Sequence, residues 1–341
     1  MPMQELRRTV RRMLALRGVQ AAALVLTVAA VLRLGGSDAG AASGPGAPAS
    51  SGASSGSTGY RGVLTFATPG NGDPFAPTTV QDYDLATGQL TVRFDGLDPA
   101  RGRTGETAYI QRLAGGWAAD HGVVVADARD IPGAPVFVCK DFNWTSNLAC
   151  RGPKVSPNGR LVAFAATGGS GNVCRNTYGM FWAEFVIVTD RRGAEVARFE
   201  GYGFPEWLPD GRLIIMGSQC RNAGIWMTDA GLGSLRRIDR ESVSIPAGAP
   251  AVSPDGSRLA FVWNRQLWTM SLDGRAELTQ VTRLPKSVQA AAWSPDGEAL
   301  ALLLFDVSMP VRSLALLRPG DQSSLVVKEL PVYPYGPLSW R

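Results

Sequence analysis

Histidine, the residue type that most often serves as a catalytic base, is almost absent from this sequence. His121 is the only one, and no Gly-x-Ser-x-Gly elbow occurs, so a serine or cysteine triad would depend on His121 alone. The aspartates Asp210, Asp255 and Asp296 could act as paired carboxylates, but each stands in a Pro-Asp-Gly turn that already explains its presence. We therefore predict no catalytic residue, no metal site and no cofactor.

Four cysteines form the second set of chemically capable residues. None belongs to a Cys-x-x-Cys pair and no histidine accompanies them, which argues against a metal site. Disulfide bonds in an oxidising compartment are the prediction. Three pairings are possible, and we favour Cys139 with Cys150 and Cys174 with Cys220. Four unpaired, small apolar residues are the alternative.

The first 34 residues are typical of membrane targeting. An arginine-rich start precedes an apolar run over residues 18–32, which predicts that everything downstream lies on the extracytoplasmic side. Ala39-Gly40-Ala41 offers a cleavage site, so a cleaved, secreted form and a membrane-anchored form both remain open, with the anchor favoured. Residues 35–59 are rich in glycine, alanine, serine and proline, and predict a flexible linker.

The charge distribution argues against nucleic-acid binding. The chain has a formal net charge of +5, but residues 1–42 contain six arginines and only two acidic residues. The remainder is nearly neutral and has no basic stripe, whereas a nucleic-acid-binding domain usually carries one.

A turn motif recurs along the chain after residue 150 and predicts a repeated hairpin. Proline presets φ, aspartate or asparagine bonds to nearby backbone, and glycine takes the left-handed conformation. The four clear copies are centred on Asn158 and Gly159, Asp210 and Gly211, Asp255 and Gly256, and Asp296 and Gly297. A degenerate fifth copy over residues 117–122 contains Asp120 and His121. The five Asp or Asn positions are 38, 52, 45 and 41 residues apart, a period typical of four-stranded propeller blades.

The two ends of the repeat region predict the number of blades. The segment Leu338-Ser339-Trp340 matches the strand that precedes a turn, and residues 62–67 match the strand that follows one. We expect these two strands to share a composite blade, because this closes a ring of six blades and leaves no open edge.

The Ser-Pro-Asp-Gly-x-x-Leu-Ala-Phe pattern resembles the TolB-type repeats of bacterial envelope propellers, which also occur in propeller domains of prolyl oligopeptidase-like enzymes. The resemblance covers residues 60–341. It implies an all-β fold, a six-bladed β-propeller of four-stranded antiparallel blades, here preceded by an N-terminal hydrophobic helix and a disordered linker. We identify no N-terminal α/β domain like that of TolB, which argues against recruitment by the Tol–Pal system.

A rigid scaffold without a catalytic constellation favours a binding function. We expect a non-enzymatic, monomeric propeller that binds an envelope protein or peptide at one mouth of its channel. The expected partner contacts lie in long loops: Trp144, Arg175, Tyr178 and Arg221. One alternative is a propeller enzyme of the lactonase, lyase or cyclotransferase kind with a divalent cation at the channel mouth. Another is a purely structural envelope protein.

Overall fold

A computed structural model describes most of the chain after residue 58. The described residues are 59–69, 78–114, 120–139, 149–167, 174–175, 181–182, 184–217, 222–239, 250–305, 312–330 and 334–341. The predicted export segment and the linker up to residue 58 lie outside them. Every regular element in these ranges is a strand, and they contain no helix of the length and apolarity that a bilayer crossing requires.

Thirteen strands come from the first half of the ring. They are β1 (Val63–Pro69), β2 (Thr78–Asp84), β3 (Leu90–Asp95), β4 (Leu97–Arg101), β5 (Thr107–Ala114), β6 (Asp120–Ala126), β7 (Phe137–Cys139), β8 (Ala149–Val155), β9 (Leu161–Thr167), β10 (Cys174–Arg175), β11 (Phe181–Trp182), β12 (Glu184–Asp190) and β13 (Glu195–Glu200).

The second half contributes another thirteen. They are β14 (Tyr202–Trp207), β15 (Leu213–Gly217), β16 (Gly224–Thr228), β17 (Leu235–Arg237), β18 (Ala251–Val252), β19 (Arg258–Trp263), β20 (Gln266–Ser271), β21 (Leu278–Gln280), β22 (Ser287–Trp293), β23 (Leu300–Phe305), β24 (Arg312–Arg318), β25 (Asp321–Glu329) and β26 (Tyr335–Trp340).

These strands form six antiparallel four-stranded sheets, which confirms the predicted six-bladed propeller. From the inner to the outer strand, blade 1 is β26-β1-β2-β3 and blade 2 is β4-β5-β6-β7. Blade 3 is β8-β9-β12-β13, with the small β10-β11 hairpin inserted, and blade 4 is β14-β15-β16-β17. Blade 5 is β18-β19-β20-β21 and blade 6 is β22-β23-β24-β25. The inner strands β26, β4, β8, β14, β18 and β22 contact one another in a closed cycle, so they form the wall of the central channel.

Blade 1 closes the ring in the predicted way. Its inner strand comes from the C-terminal end of the sequence and pairs with β1, so that Leu64 lies opposite Trp340 and Thr65 opposite Ser339. The backbone groups of Val63 and Arg341 exchange two further hydrogen bonds of 2.8 and 3.0 Å. All the edges of the inner strands therefore face the channel rather than another chain.

The apolar core is divided among the interfaces between neighbouring blades. Blades 2/3, 3/4, 4/5, 5/6 and 6/1 each share a large cluster of buried aliphatic and aromatic side chains. The cluster between blades 1 and 2 is much smaller, with Tyr109, Val124 and Ala126 packed against Phe94. Apolar packing therefore contributes less to this interface than to the other five.

A group of charged side chains, all largely buried except Arg341, lies at the interface between blades 1 and 2. Asp82 on β2 has only 7% of its side chain exposed, and it lies 2.7 Å from Arg93 and 2.6 Å from Arg341. Arg101 of blade 2 lies 3.9 Å from the same carboxylate and 3.7 Å from Asp130. We call these five residues the closure cluster, because they join the composite blade to its neighbour.

Candidate binding site in the central channel

The repeated turns lie on one face of the ring, which we call the turn face. Each connects an inner strand to the second strand of its blade, and Gly159, Gly211, Gly256 and Gly297 all have φ between +71° and +89°. These glycines occupy the left-handed region that other residues adopt only at a cost.

The Asp or Asn side chain of each turn accepts hydrogen bonds from groups of the same turn. The Ser253 hydroxyl donates to Asp255, which also accepts the backbone N–H of Ser257 at 3.1 Å. These hydrogen bonds, that from Ser253 foremost, lower the pKa of Asp255 to about 2. Asn158 and Asp296 accept hydrogen bonds in the same way, and Asp210 accepts two from Arg212. The four groups belong to separate turns and do not form a carboxylate pair.

The predicted turn at Asp120 and His121 is not a turn. Both residues lie within β6, where Asp120 pairs with Ala114 and His121 pairs with Arg112 and Cys139. The corresponding turn of blade 2 runs from Gly102 to Gly105, closed by a 3.2 Å backbone hydrogen bond, with Gly105 at φ +93°. It has the geometry of the other copies without their proline and aspartate, so the motif predicted the wrong position for the turn of this blade.

Arg103, in this blade 2 turn, crosses the ring. Its Nη2 atom donates a 2.8 Å hydrogen bond to the carbonyl oxygen of Pro254 in the turn of blade 5. Blades 2 and 5 are opposite one another in a ring of six, so the contact spans the mouth of the channel on the turn face. Neighbouring turns also approach closely, since a Cβ at Gly256 would lie 3.0 Å from Cδ of Pro209.

A second repeated feature lies in the inner strands, away from the turns. In four blades the inner strand bulges at a residue with positive φ that is followed by proline. The pairs are Asp98-Pro99 in blade 2, Gly152-Pro153 in blade 3, Phe204-Pro205 in blade 4 and Gly336-Pro337 in blade 1. Proline is tolerated in strands mainly at edges and bulges. We call Asp98, Gly152, Phe204 and Gly336 the bulge residues.

Asp98 is packed between the bulges of the two neighbouring blades. Its carboxylate accepts the Gly152 N–H at 3.1 Å, and a Cβ at Gly336 would lie 2.8 Å from its other oxygen. Burial raises the pKa of Asp98, while the Gly152 N–H and the charges of Arg151 and Lys154 act in the opposite direction. The bulges are thus close enough to form a contiguous part of the channel wall.

An ion pair joins the next two inner strands. Lys154 of blade 3 lies 2.7 Å from Glu206 of blade 4, and both side chains are largely buried. The indole of Trp207 donates a 3.1 Å hydrogen bond to the Lys154 carbonyl oxygen. Trp293 makes the equivalent bond to Ala251 of the preceding blade at 2.9 Å, so the tryptophan before the turn has a structural role in joining blades.

Phe204 is the bulge residue of blade 4, with φ +50° and 45% of its surface exposed. Among the residues whose side chains the structure describes, which do not include Phe181, Trp182 and Tyr335, it is the only exposed large aromatic one. The other exposed large apolar residues are aliphatic and lie away from the inner strands: Val92, Leu113, Ile131, Val138, Val196 and Val327.

The predicted partner contacts fall largely outside the described residues. Trp144, Tyr178 and Arg221 are not described, and of Arg175 only the backbone is, in β10 opposite Phe181. Cys139 and Cys150 form a disulfide between the outer strand of blade 2 and the inner strand of blade 3. The Cys174–Cys220 pairing lies outside the described side chains and stays a prediction.

Neither the bulge residues nor Arg103 were recognised from the sequence. A signal for two of the bulges exists, because Pro153 and Pro205 each precede a turn proline by four residues. Within the described residues, no three histidine, cysteine or acidic side chains converge as a metal site would require.

Comparison with known proteins places this geometry in a fold group. No family model matches the chain. A stretch of 110 residues is 36% identical to the uncharacterized peptidase YuxL of Bacillus subtilis (strain 168), but it covers 28% of the chain and only 16% of YuxL.

Solved structures agree over a much larger part of the chain. TolB from Acinetobacter baumannii matches with a TM-score of 0.58 at 16% identity, over 82% of the chain and 66% of TolB. Hydrazine synthase of Kuenenia stuttgartiensis gives 0.52 at 12% identity, over 82% of the chain and 48% of the enzyme. A chain of a nidogen/laminin complex gives a TM-score of 0.51 at 12% identity, over 82% of this chain and 97% of that one. At such identities the likeness concerns the fold alone, and by its fold the chain is a TolB-like six-bladed β-propeller.

Proposed function

We propose that the chain is a non-enzymatic, extracytoplasmic interaction module that binds a segment of a partner protein in its central channel. The partner segment enters from the face opposite the turn face. The observation that carries this proposal is the contact of Arg103 with Pro254, which spans the channel mouth on the turn face. The inner-strand bulges, with the exposed ring of Phe204, then offer a binding surface toward the other mouth.

Two further observations support this assignment. The turn aspartates are occupied by hydrogen bonds of their own turns, so they are poor candidates for catalysis. The Cys139–Cys150 disulfide and the predicted export segment both favour an oxidising compartment outside the cytoplasm.

Site-specific photo-crosslinking in cells tests this proposal. A photoreactive amino acid is placed at Phe204, and matched variants carry it at Arg160 on the turn face and at Val196 on an outer strand. We expect a discrete protein adduct from position 204 and none from the two controls. Adducts that form only at the control positions, or at none of the three, would refute binding in the channel.

A second candidate function rests on Asp98. A buried carboxylic acid with a raised pKa in a channel wall is a feature of catalytic sites, and the predicted lactonase, lyase or cyclotransferase activity would use such a group with a divalent cation. Calcium that raises the Tm of the wild type but not of Asp98→Asn would favour this enzyme. A Tm indifferent to calcium and to chelator would weigh against it.

A further inference from the structure

The backbone at Phe204 is strained, and the fold does not require the side chain that it carries. The equivalent bulge positions of blades 1 and 3 are glycines, Gly336 and Gly152, which adopt positive φ without penalty. A left-handed conformation costs another residue about 1–2 kcal/mol. Glycine would therefore satisfy the same bulge in blade 4 at a lower cost.

Burial does not compensate for this strain. Asp98, the other bulge residue with a side chain, is only 9% exposed and bonds the Gly152 N–H. Phe204 instead leaves 45% of its surface exposed. Strain that is retained in a free protein without packing in return is found mainly at binding and catalytic sites, so the ring of Phe204 is suited to contact a ligand.

The charges around Phe204 indicate which ligand this is. On the neighbouring inner strand, Lys154 is neutralised by Glu206. Arg151, one residue before the bulge at Gly152, is exposed, and no ion pair joins it to any carboxylate that the structure describes. Burial raises the pKa of Asp98, and the charges of Arg151 and Lys154 act against that shift. The contacting inner strands of blades 3 and 4 therefore carry an exposed guanidinium that belongs to no described ion pair, on Arg151, and an exposed phenyl ring, on Phe204.

We propose that Phe204 and Arg151 together recognise an acidic, apolar segment of the partner protein. An aromatic or aliphatic side chain of that segment packs on Phe204, and an adjacent carboxylate pairs with Arg151, because guanidinium binds carboxylate in a bidentate geometry. This specificity rests on the function proposed above and adds the chemistry of its ligand.

Selection from a phage-displayed peptide library on immobilised full-chain protein tests the inference. The wild type is expected to enrich peptides in which glutamate or aspartate stands next to a large apolar residue. Phe204→Gly is expected to weaken binding of those peptides about tenfold or more, with an unchanged or raised Tm because it removes strain. Arg151→Glu is expected to abolish their enrichment and to favour basic peptides.

Asn264→Gly provides the matched control. Asn264 also has positive φ, +48°, but lies in the hairpin turn between β19 and β20, so its replacement should leave the selected peptides unchanged. If the wild type enriched basic peptides, or if Arg151→Glu still bound the acidic ones, the chemistry assigned to the ligand would be wrong. The channel could still be the binding site in either case. Peptides whose binding survives both Phe204→Gly and Arg151→Glu would overturn the channel as the binding site, and so would failure to enrich any peptide.

Discussion

Replacing Asp82 with asparagine is expected to destabilise blade 1 and, through Arg93 and Arg101, its contact with blade 2. The carboxylate accepts hydrogen bonds from Thr65 at 2.6 Å, Arg93 at 2.7 Å and Arg341 at 2.6 Å. Asparagine keeps one oxygen for Thr65 but turns an NH₂ group toward the arginines. Their positive charges then face one another with Asp130 as the only remaining carboxylate of the closure cluster.

The size of the effect follows from the burial of Asp82, Arg93 and Arg101, since water screens the charge of Arg341, whose side chain is 45% exposed. Removing one partner of a buried ion pair costs about 3–5 kcal/mol, because the charge left behind is not compensated. For a domain of this size, that corresponds to a fall in Tm of roughly 6–15 °C. The small apolar cluster at this interface, Tyr109, Val124, Ala126 and Phe94, offers little else to hold the two blades together.

Thermal and urea unfolding of the purified full-chain protein measure this prediction. Asp273→Asn serves as the control, because Asp273 is an exposed turn carboxylate whose partners are Ser271 and Arg275. It should change the free energy of unfolding by less than about 1 kcal/mol. If Asp82→Asn were no more destabilising than this control, the closure cluster would not be holding the ring together.

Three other substitutions test separate parts of the fold. The double variant Cys139→Ser/Cys150→Ser should lose about 3 kcal/mol of unfolding free energy in urea, the entropy of a crosslink with a sequence separation of 11. Reductant should destabilise the wild type by at least as much, and a urea midpoint equal to that of the untreated wild type would contradict the prediction. Because burial raises the pKa of Asp98, the folded protein loses stability as pH rises from the usual aspartate value of about 3.9 through the raised pKa. The Tm of Asp98→Asn relative to that of the wild type should therefore increase as pH rises above about 4, and a difference in Tm that does not change with pH would argue against a buried titrating acid. The pKa of Asp255 is instead lowered to about 2, so its contribution is present above about pH 4 and is lost toward pH 2. Asp255→Asn should be less stable than the wild type at neutral pH, and the difference in Tm should shrink as pH falls toward 2. A difference in Tm that does not depend on pH would refute that assignment.

The sequence contains enough information for the fold because its repeated turns have strict local requirements. A proline, an Asp or Asn and a left-handed glycine identify the turns at Asn158, Asp210, Asp255 and Asp296, and their spacing gives the four-stranded blade. The composite blade could be predicted because the segment ending at Trp340 matches the strand that precedes these turns. The turn at Gly102–Gly105 could not, since it meets the same backbone geometry with two glycines and none of the side chains that define the motif.

The candidate site was missed because it depends on contacts between blades. Arg103 and Pro254 are 151 residues apart, and no local pattern indicates that two turns face each other across a ring. Asp98 stands in an ordinary Asp-Pro dipeptide, and its contacts with the bulges at Gly152 and Gly336 come from two other blades. Trp144 was predicted as a contact because it stands in a long segment without strand periodicity, whereas Phe204 lies within the sequence of strand β14.

The features that close the ring and those proposed for binding occupy different parts of the molecule, and this makes them separable. The closure cluster lies between blades 1 and 2 and involves the outer strand residue Arg93, whereas Arg151 and Phe204 lie on the inner strands of blades 3 and 4. Substitutions in well-separated sites usually have additive effects on stability. A variant that combines Asp82→Asn with Phe204→Gly should therefore show the Tm loss of the first and the binding loss of the second. A larger combined effect on either quantity would mean that the closure of the ring and the shape of the channel depend on each other.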